Sequence, residues 1–207
     1  MTLAELAAGL PDPVWVVGTD TGVGKTFVAA GIARAWAARG PVTYRKPFQS
    51  GVASLSDPGA DASVVAGPGI AVESHTVLAA PLSPRAAARA EDRELDLADA
   101  LAWTRRPWEG RLVAEGVGGL MVPLWERHTF LSWATELQWP CVLVARGGLG
   151  TLNHSLLSAE ALMLRGWRVE ALIVNPGADG AWEAAPENAA ILRELLPFPV
   201  HLLEPNP

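Results

Sequence analysis

The sequence predicts an α/β fold: a mostly parallel sheet with helices packed on both faces. Three observations carry the prediction. Short β-branched runs alternate along the chain with longer Ala- and Leu-rich segments. The first run, VWVV at 14–17, passes directly into the glycine-rich stretch GTDTGVGKT. The segment after that stretch has helical length and is closed by Gly40. Strands separated by helices lie parallel, and the loops after their carboxyl ends then line the ligand crevice.

Taken in order, VWVV is a buried strand and TFVAAGIARAWAARG (26–40) a helix with a glycine stop. VTYR (42–45) is a second strand. Between Ser54 and Leu95 the signal weakens among many Pro and Gly residues; the reading there is loops, one short helix near Asp61 and at most a small strand. RLVAEG (111–116) and CVLVAR (141–146) are further buried strands. TLNHSLLSAEALMLRG (151–166) is a helix that stops at Gly166, and VEALIVN (169–175) is a strand. Helix PENAAILRELL and strand PVHLL follow near the end. No repeat, linker or low-complexity stretch divides the 207 residues, which suits a single domain over 1–207.

Half of the residues are apolar, enough for a packed core, and the net charge of −6 argues against a surface built for nucleic acid or an anionic membrane. An anionic ligand must then be held by local groups. Cys141 has no second cysteine to pair with and sits in the apolar run PCVLVA, the environment of a buried strand thiol. The first residues lack the basic start and long apolar stretch of a signal peptide, and no run reaches the length of a membrane span. The expectation is a cytoplasmic protein. Lysine occurs only at positions 25 and 46, every other basic side chain being Arg, so both positions point to work that a planar guanidinium does not do.

GTDTGVGKT has the setting of a phosphate-binding loop: apolar strand, glycine-rich turn, helix start. Its spacing departs from the usual GxxxxGK[ST], because five residues separate Gly18 from Gly24 and Thr19 stands where the first glycine belongs. The Gly24-Lys25-Thr26 end is intact. Backbone N–H groups there converge on phosphate oxygens, Lys25 reaches the outer phosphates and the Thr26 hydroxyl meets Mg²⁺. A turn whose glycines serve only packing is the plain alternative. In YRKPFQSG, Lys46 follows a predicted strand and so lies at the same sheet edge as the loop; Pro47 enforces an extended exit, and Ser50 and Gly51 offer a hydroxyl and a close-approach backbone. By itself this stretch would also serve as an ordinary strand-end turn. LVAEGVGGL ends a buried strand in Glu115, a carboxylate that needs a cation nearby. Asp61 is either a second metal-directed carboxylate or a helix N-cap.

Six motifs, GTDTGVGKT, KPFQSG, DAS, PLSPRAAA, AEGVGGLMVPL and GLGTLNHSLLSAE, occur in the order found in dethiobiotin synthetases. The chain resembles that family from about Val14 to Asn175, and the loop with one additional residue is the family's own form. The resemblance implies a P-loop NTPase-type, three-layer α/β/α fold. It implies a cyclo-ligase that joins 7,8-diaminononanoate and CO₂ (or bicarbonate) at the expense of ATP, through an N-carbamate and a carbamic-phosphoric anhydride. ADP and phosphate leave as the ring closes.

Residue by residue, the resemblance implies catalytic roles for Lys25, Lys46 and Thr21, and Mg²⁺ ligation by Thr26, Asp61 and Glu115. It implies nucleotide contacts from Gly22, Val23, Gly24, Lys25, Thr26, Phe27, Glu115 and Asn175, with Asn175 on the adenine. Diamine contacts fall on Lys46, Ser50, Gly118 and Gly119. The substrate carboxylate would dock on Gly150, Thr151, Leu152 and Asn153 of a partner subunit, which makes a homodimer the expected assembly. His154 beside them reads as packing or capping. Gly22 stands where many members carry Glu, and the stretch after Asn175 matches the pattern poorly. Two other readings of the loop are a cobyrinic acid-type amide synthase and a ParA/MinD-like switch ATPase. The first usually carries a glutaminase domain for which 207 residues leave no room; the second needs a further lysine at the front of the loop. An Asn-Lys-x-Asp motif for reading guanine is not present.

Overall fold

The structure, a computed structural model, describes residues 1–204. Its elements run α1 (Leu3–Gly9), β1 (Val14–Gly18), α2 (Lys25–Ala37), β2 (Val42–Ser50), α3 (Asp61–Val65) and β3 (Ile70–Leu78). Next come α4 (Pro84–Ala90), α5 (Leu97–Arg105), β4 (Arg111–Glu115), β5 (Pro123–Trp125), β6 (His128–Thr129) and α6 (Phe130–Ala134). The chain continues with β7 (Cys141–Arg146), α7 (Thr151–Leu164), β8 (Val169–Asn175), α8 (Ala185–Leu195) and β9 (Val200–Leu202). Seven strands form one sheet in the order β3-β2-β4-β1-β7-β8-β9, and every ladder in it is parallel. Strands β5 and β6 make a separate antiparallel ribbon.

The apolar runs are continuous because the sheet is covered on both faces. In β1, Val14 and Val16 face one core with α1, α2 and α3, while Trp15 and Val17 face the other with α4 to α8. Strands β7 and β8 divide in the same way: Val142, Val144, Ala171 and Ile173 join the first core, and Cys141, Leu143, Leu172 and Val174 the second. Each such fully buried Val or Leu contributes roughly 1.5–3 kcal/mol. Trp15 anchors the second core edge-on to Phe130 at 5.5 Å.

The structure corrects the expected boundaries in the first half. Strand β2 does not stop at Arg45. It runs through Lys46 to Ser50, because β3 supplies a ladder from Val42↔Ile70 to Ser50↔Leu78. Lys46 is therefore a strand residue, not the first residue of a turn. The region 54–95 holds a nine-residue edge strand, β3, and helix α4, where little regular structure was expected. Strand β3 is an edge strand with polar positions at Glu73, Ser74, His75 and Thr76, so it lacks the apolar run of its neighbours. Helix α1 was also unread, although Thr2 and Glu5 form a reciprocal capping box at its start. Asp61 is not an N-cap: Ala60 holds that position, and Asp61 is the first residue of α3.

The sheet order places β1 between β4 and β7, neither of which directly follows it in the chain. The carboxyl ends of β1, β2, β4, β7 and β8 deliver Gly18, Lys46–Ser50, Glu115, Arg146 and Asn175 to one edge.

Candidate active site

At that edge, the loop after β1 enters α2 at Gly24, whose φ is +93°. Only glycine suits the position twice over: the backbone is left-handed, and a Cβ there would lie 2.1 Å from Asn175 Nδ2. Asn175 in turn ties the loop to β8, donating from Nδ2 to the Val23 carbonyl at 3.0 Å and accepting from Gly177 N–H at 3.2 Å. The Val23 side chain points into the core, so its part in the cradle is confined to its backbone. Lys25 is buried and donates to the Asp20 carbonyl at 3.0 Å. Burial pushes its ammonium pKa down to about 8, against the opposing pull of Glu115.

Four side chains from four elements meet beside Lys25. Thr26 Oγ1 lies 2.6 Å from Asp61 Oδ1 and 2.9 Å from Glu115 Oε1; its single proton serves one of them at a time. Lys46 Nζ donates to Glu115 Oε1 at 2.7 Å and also pairs with Asp61. The other Glu115 oxygen accepts from Tyr44 OH at 2.8 Å, so this 1%-exposed carboxylate is partnered throughout. Burial alone would lower the Lys46 pKa, but Glu115 and Asp61 outweigh it and hold the ammonium charged. Burial likewise opposes ionisation of Asp61, and Lys46 overcomes it, leaving that carboxyl below its ordinary range.

These groups line a cavity of about 310 Å³ together with Thr21, Gly22, Gly24, Gln49, Ser50 and Gly118. A second cavity of about 390 Å³ shares Thr21, Ser50, Val117 and Gly118 with it and is walled by Pro81, Leu82, Pro84 and Val122. A third, of about 320 Å³, shares Gly24 and is lined by Phe27, Asn175, Gly177, Trp182 and Leu203. One charged compartment thus joins an apolar slot on one side to an aromatic-flanked slot on the other. Gly119 adjoins the loop so closely that a Cβ would lie 3.0 Å from the Thr19 carbonyl.

Of the residues singled out from the sequence, Thr21, Gly22, Gly24, Lys25, Thr26, Lys46, Ser50, Asp61, Glu115 and Gly118 converge on the charged cavity, and Phe27 and Asn175 on the aromatic-flanked one. Gly150, Thr151, Leu152 and Asn153 do not join them. They open α7, where Thr151 is buried with its hydroxyl donating to the Arg146 carbonyl at 2.7 Å, Leu152 packs on the core, and Gly150 and Asn153 are exposed. Sequence reasoning missed Gln49, which stood inside the quoted KPFQSG. It also missed Trp182, in a stretch without motif, and the Arg146–Asp20 ion pair at 2.5 Å that braces the front of the loop.

Likeness to known proteins decides the family. A family model described as "AAA domain" matches residues 12–202. The ATP-dependent dethiobiotin synthetase BioD of Anaeromyxobacter dehalogenans (strain 2CP-C) is 41% identical over 189 residues, covering 88% of this chain and 84% of that protein. The enzyme of the same name from Paramagnetospirillum magneticum (strain ATCC 700264 / AMB-1) is 40% identical over 193 residues, covering 90% and 88%. The chain belongs to the dethiobiotin synthetase family. A ParA family ATPase from Chlorobium tepidum TLS superposes with a TM-score of 0.56 over 95% of this chain and 84% of that one, at 14% identity, a likeness of fold alone. The chain therefore shares its mostly parallel, P-loop NTPase-type sheet with that ParA family ATPase. Among the described residues no helix is long and apolar enough to cross a membrane.

Proposed function

We propose that the protein closes the ureido ring of dethiobiotin from 7,8-diaminononanoate and CO₂, using ATP. The observation that carries this reading is Lys25 and Lys46 side by side in one cavity with two carboxylates, opening directly onto an apolar slot. A nucleotide phosphate chain suits the charged compartment and its base the slot flanked by Phe27 and Trp182. An aliphatic substrate suits the slot walled by Pro81, Leu82 and Val122.

The donor set fits Mg²⁺. Thr26, Asp61 and Glu115 present hard oxygens within 2.6–2.9 Å of the one hydroxyl. Among the described residues there is no cluster of three or more His, Cys, Asp or Glu side chains of the kind a fully protein-caged metal needs. That suits an ion that keeps waters and takes phosphate oxygens. When bound, Mg²⁺ supplies charge neutralisation on the phosphates.

In the reaction, one substrate amine attacks CO₂ and loses a proton to give a carbamate. A carbamate oxygen then attacks the γ-phosphorus, forming a C–O–P link as the bond to ADP breaks. The second amine attacks the carbamoyl carbon, the ring closes, and phosphate leaves with the oxygen. A carbamate is an anion and a poor electrophile, so Lys46 stabilises it until phosphorylation creates a leaving group. Lys25 follows the charge on the migrating phosphoryl, and the chain's work is chiefly positioning and electrostatic. The α7 residues Gly150 to Asn153 serve the carboxylate of the substrate held by a second copy. Leu149, Leu157 and Leu164, exposed before and along α7, support such a contact.

Incubation with ATP, Mg²⁺, bicarbonate and the diamine is expected to give dethiobiotin by mass, with ADP release that requires both diamine and bicarbonate. ADP release that ignores both, with no dethiobiotin formed, would instead mark a switch ATPase.

A further inference from the structure

Gln49 has a polar end that nothing among the described residues satisfies. Its place is fixed by the β2–β3 ladder, where it pairs with Val77. The neighbouring Phe48 turns into the core against Trp133 at 5.0 Å, whereas the Gln49 side chain lines the charged cavity with Lys46, Ser50 and Glu115. Gln49 is 5% exposed. Its Nε2 donates to the Ser50 carbonyl at 3.2 Å, which leaves Oε1 as the open end, and Oε1 has no hydrogen-bond partner among the described residues. A buried carbonyl oxygen without a donor is costly and rare, and a binding site is where it is tolerated.

The cavity specifies what that oxygen can take. Lys25 and Lys46 are engaged with Asp20, Asp61 and Glu115. Phosphate and carbamate oxygens carry no proton to donate, so the substrate group that a neutral acceptor can take is an N–H, with water around a bound ion as the rival donor. Ser50 belongs to both the charged cavity and the apolar slot, so Gln49 stands where the end of an aliphatic ligand enters. Neutrality matters as well: a carboxylate here would add a third anion beside the transferred phosphoryl. Resting on the dethiobiotin-forming reading above, we propose that Gln49 Oε1 accepts a hydrogen bond from a substrate amine and selects for the diamine.

Two variants test this. Gln49→Met keeps the length and removes the acceptor; Gln49→Glu keeps an acceptor and adds charge. Each is assayed with diamine and ATP varied separately, and its melting temperature is read without ligand. Gln49→Met should lose about ten- to a hundredfold in kcat/KM for the diamine, the worth of one hydrogen bond to an amine or ammonium. Its KM for ATP should stay within about twofold, and its ligand-free melting temperature should hold or rise, because an orphaned acceptor has gone. Gln49→Glu should keep a diamine KM nearer the wild type while kcat falls. Unchanged diamine kinetics in Gln49→Met overturn the inference. So does an equal loss toward ATP, which would place Oε1 on the nucleotide or its hydration shell, or a drop in melting temperature that matches the activity loss. A wild-type protein that makes no dethiobiotin removes this inference and the reading beneath it together.

Discussion

Lys46 Nζ lies 2.7 Å from Glu115 Oε1 and also meets Asp61, so one ammonium is shared by the two carboxylates beside Thr26. A divalent ion using those oxygens competes with that ammonium. Replacing it removes the ammonium paired with both of these partly or fully buried carboxylates, at a cost of up to about 3–5 kcal/mol. Lys46→Met should therefore melt below the wild type in metal-free buffer and recover more of its melting temperature on addition of Mg²⁺ or Mn²⁺ without nucleotide. An identical metal response in both proteins would separate Lys46 from the ion's oxygens. On the role proposed for Lys46, turnover should fall by about 10²–10³, the worth of a charge contact to the reacting group.

Lys25 makes the opposite case. Its ammonium is desolvated, with a pKa pushed down to about 8, and its one hydrogen bond among the described residues goes to a backbone carbonyl. Removing it relieves a buried charge. Lys25→Ala should match or exceed the wild-type melting temperature and yet lose about 10²–10³ in kcat. Stability and activity moving in opposite directions is the signature of a group held for function. A variant that keeps near-normal turnover refutes the assignment.

How far this site was legible in the sequence follows from where each residue sits. Glu115 and Asn175 end strands buried on both faces, and a run of apolar residues stopped by one polar side chain is visible without coordinates. Lys25 and Lys46 stood out as the chain's lysines. Gln49 did not stand out, because its meaning lies in an unmet hydrogen bond, a property of packing that no spacing records. The length of strand β3, where at most a small strand was expected, escaped for a related reason. Its ladder to β2 is made by backbone groups, while its half-exposed polar side chains carry the sequence signature of a loop. The three cavities join through residues from loops that are far apart in the chain, and that juxtaposition is set by the strand order.

Away from the cavity, Arg45 is 1% exposed and donates to Glu73 at 2.6 Å and to the carbonyls of Thr104, Arg106 and Pro107. Burial would raise the Glu73 pKa, but hydrogen bonds from Arg45 and Arg106 outweigh it and hold it below the usual range. The stability from this pair is therefore present above the unfolded carboxyl pKa and is lost as pH falls through the folded one. Glu73→Gln should destabilise by roughly 1–3 kcal/mol at neutral pH. The gap to the wild type should close in acid, read by urea unfolding across pH 3–7. A gap that persists unchanged at the acid end would mean that packing, not charge, is the source.

Asn153 offers a test of assembly that needs no crystal. It is exposed at the start of α7 and lines none of the cavities formed around Lys25 in its own chain. Were the substrate carboxylate held by a partner's α7, each site would combine Lys25 of one copy with Asn153 of the other. Lys25→Ala and Asn153→Ala homodimers are then defective at both sites. A mixed dimer holds one site with both defects and one with neither. Random reassortment of equal amounts makes half of the dimers mixed, so about a quarter of all sites are intact, and the mixture should reach about a quarter of the wild-type rate. Sites confined to single chains predict only the mean of the two mutant rates. Denaturing and refolding the variants together, against each refolded alone, separates the two results.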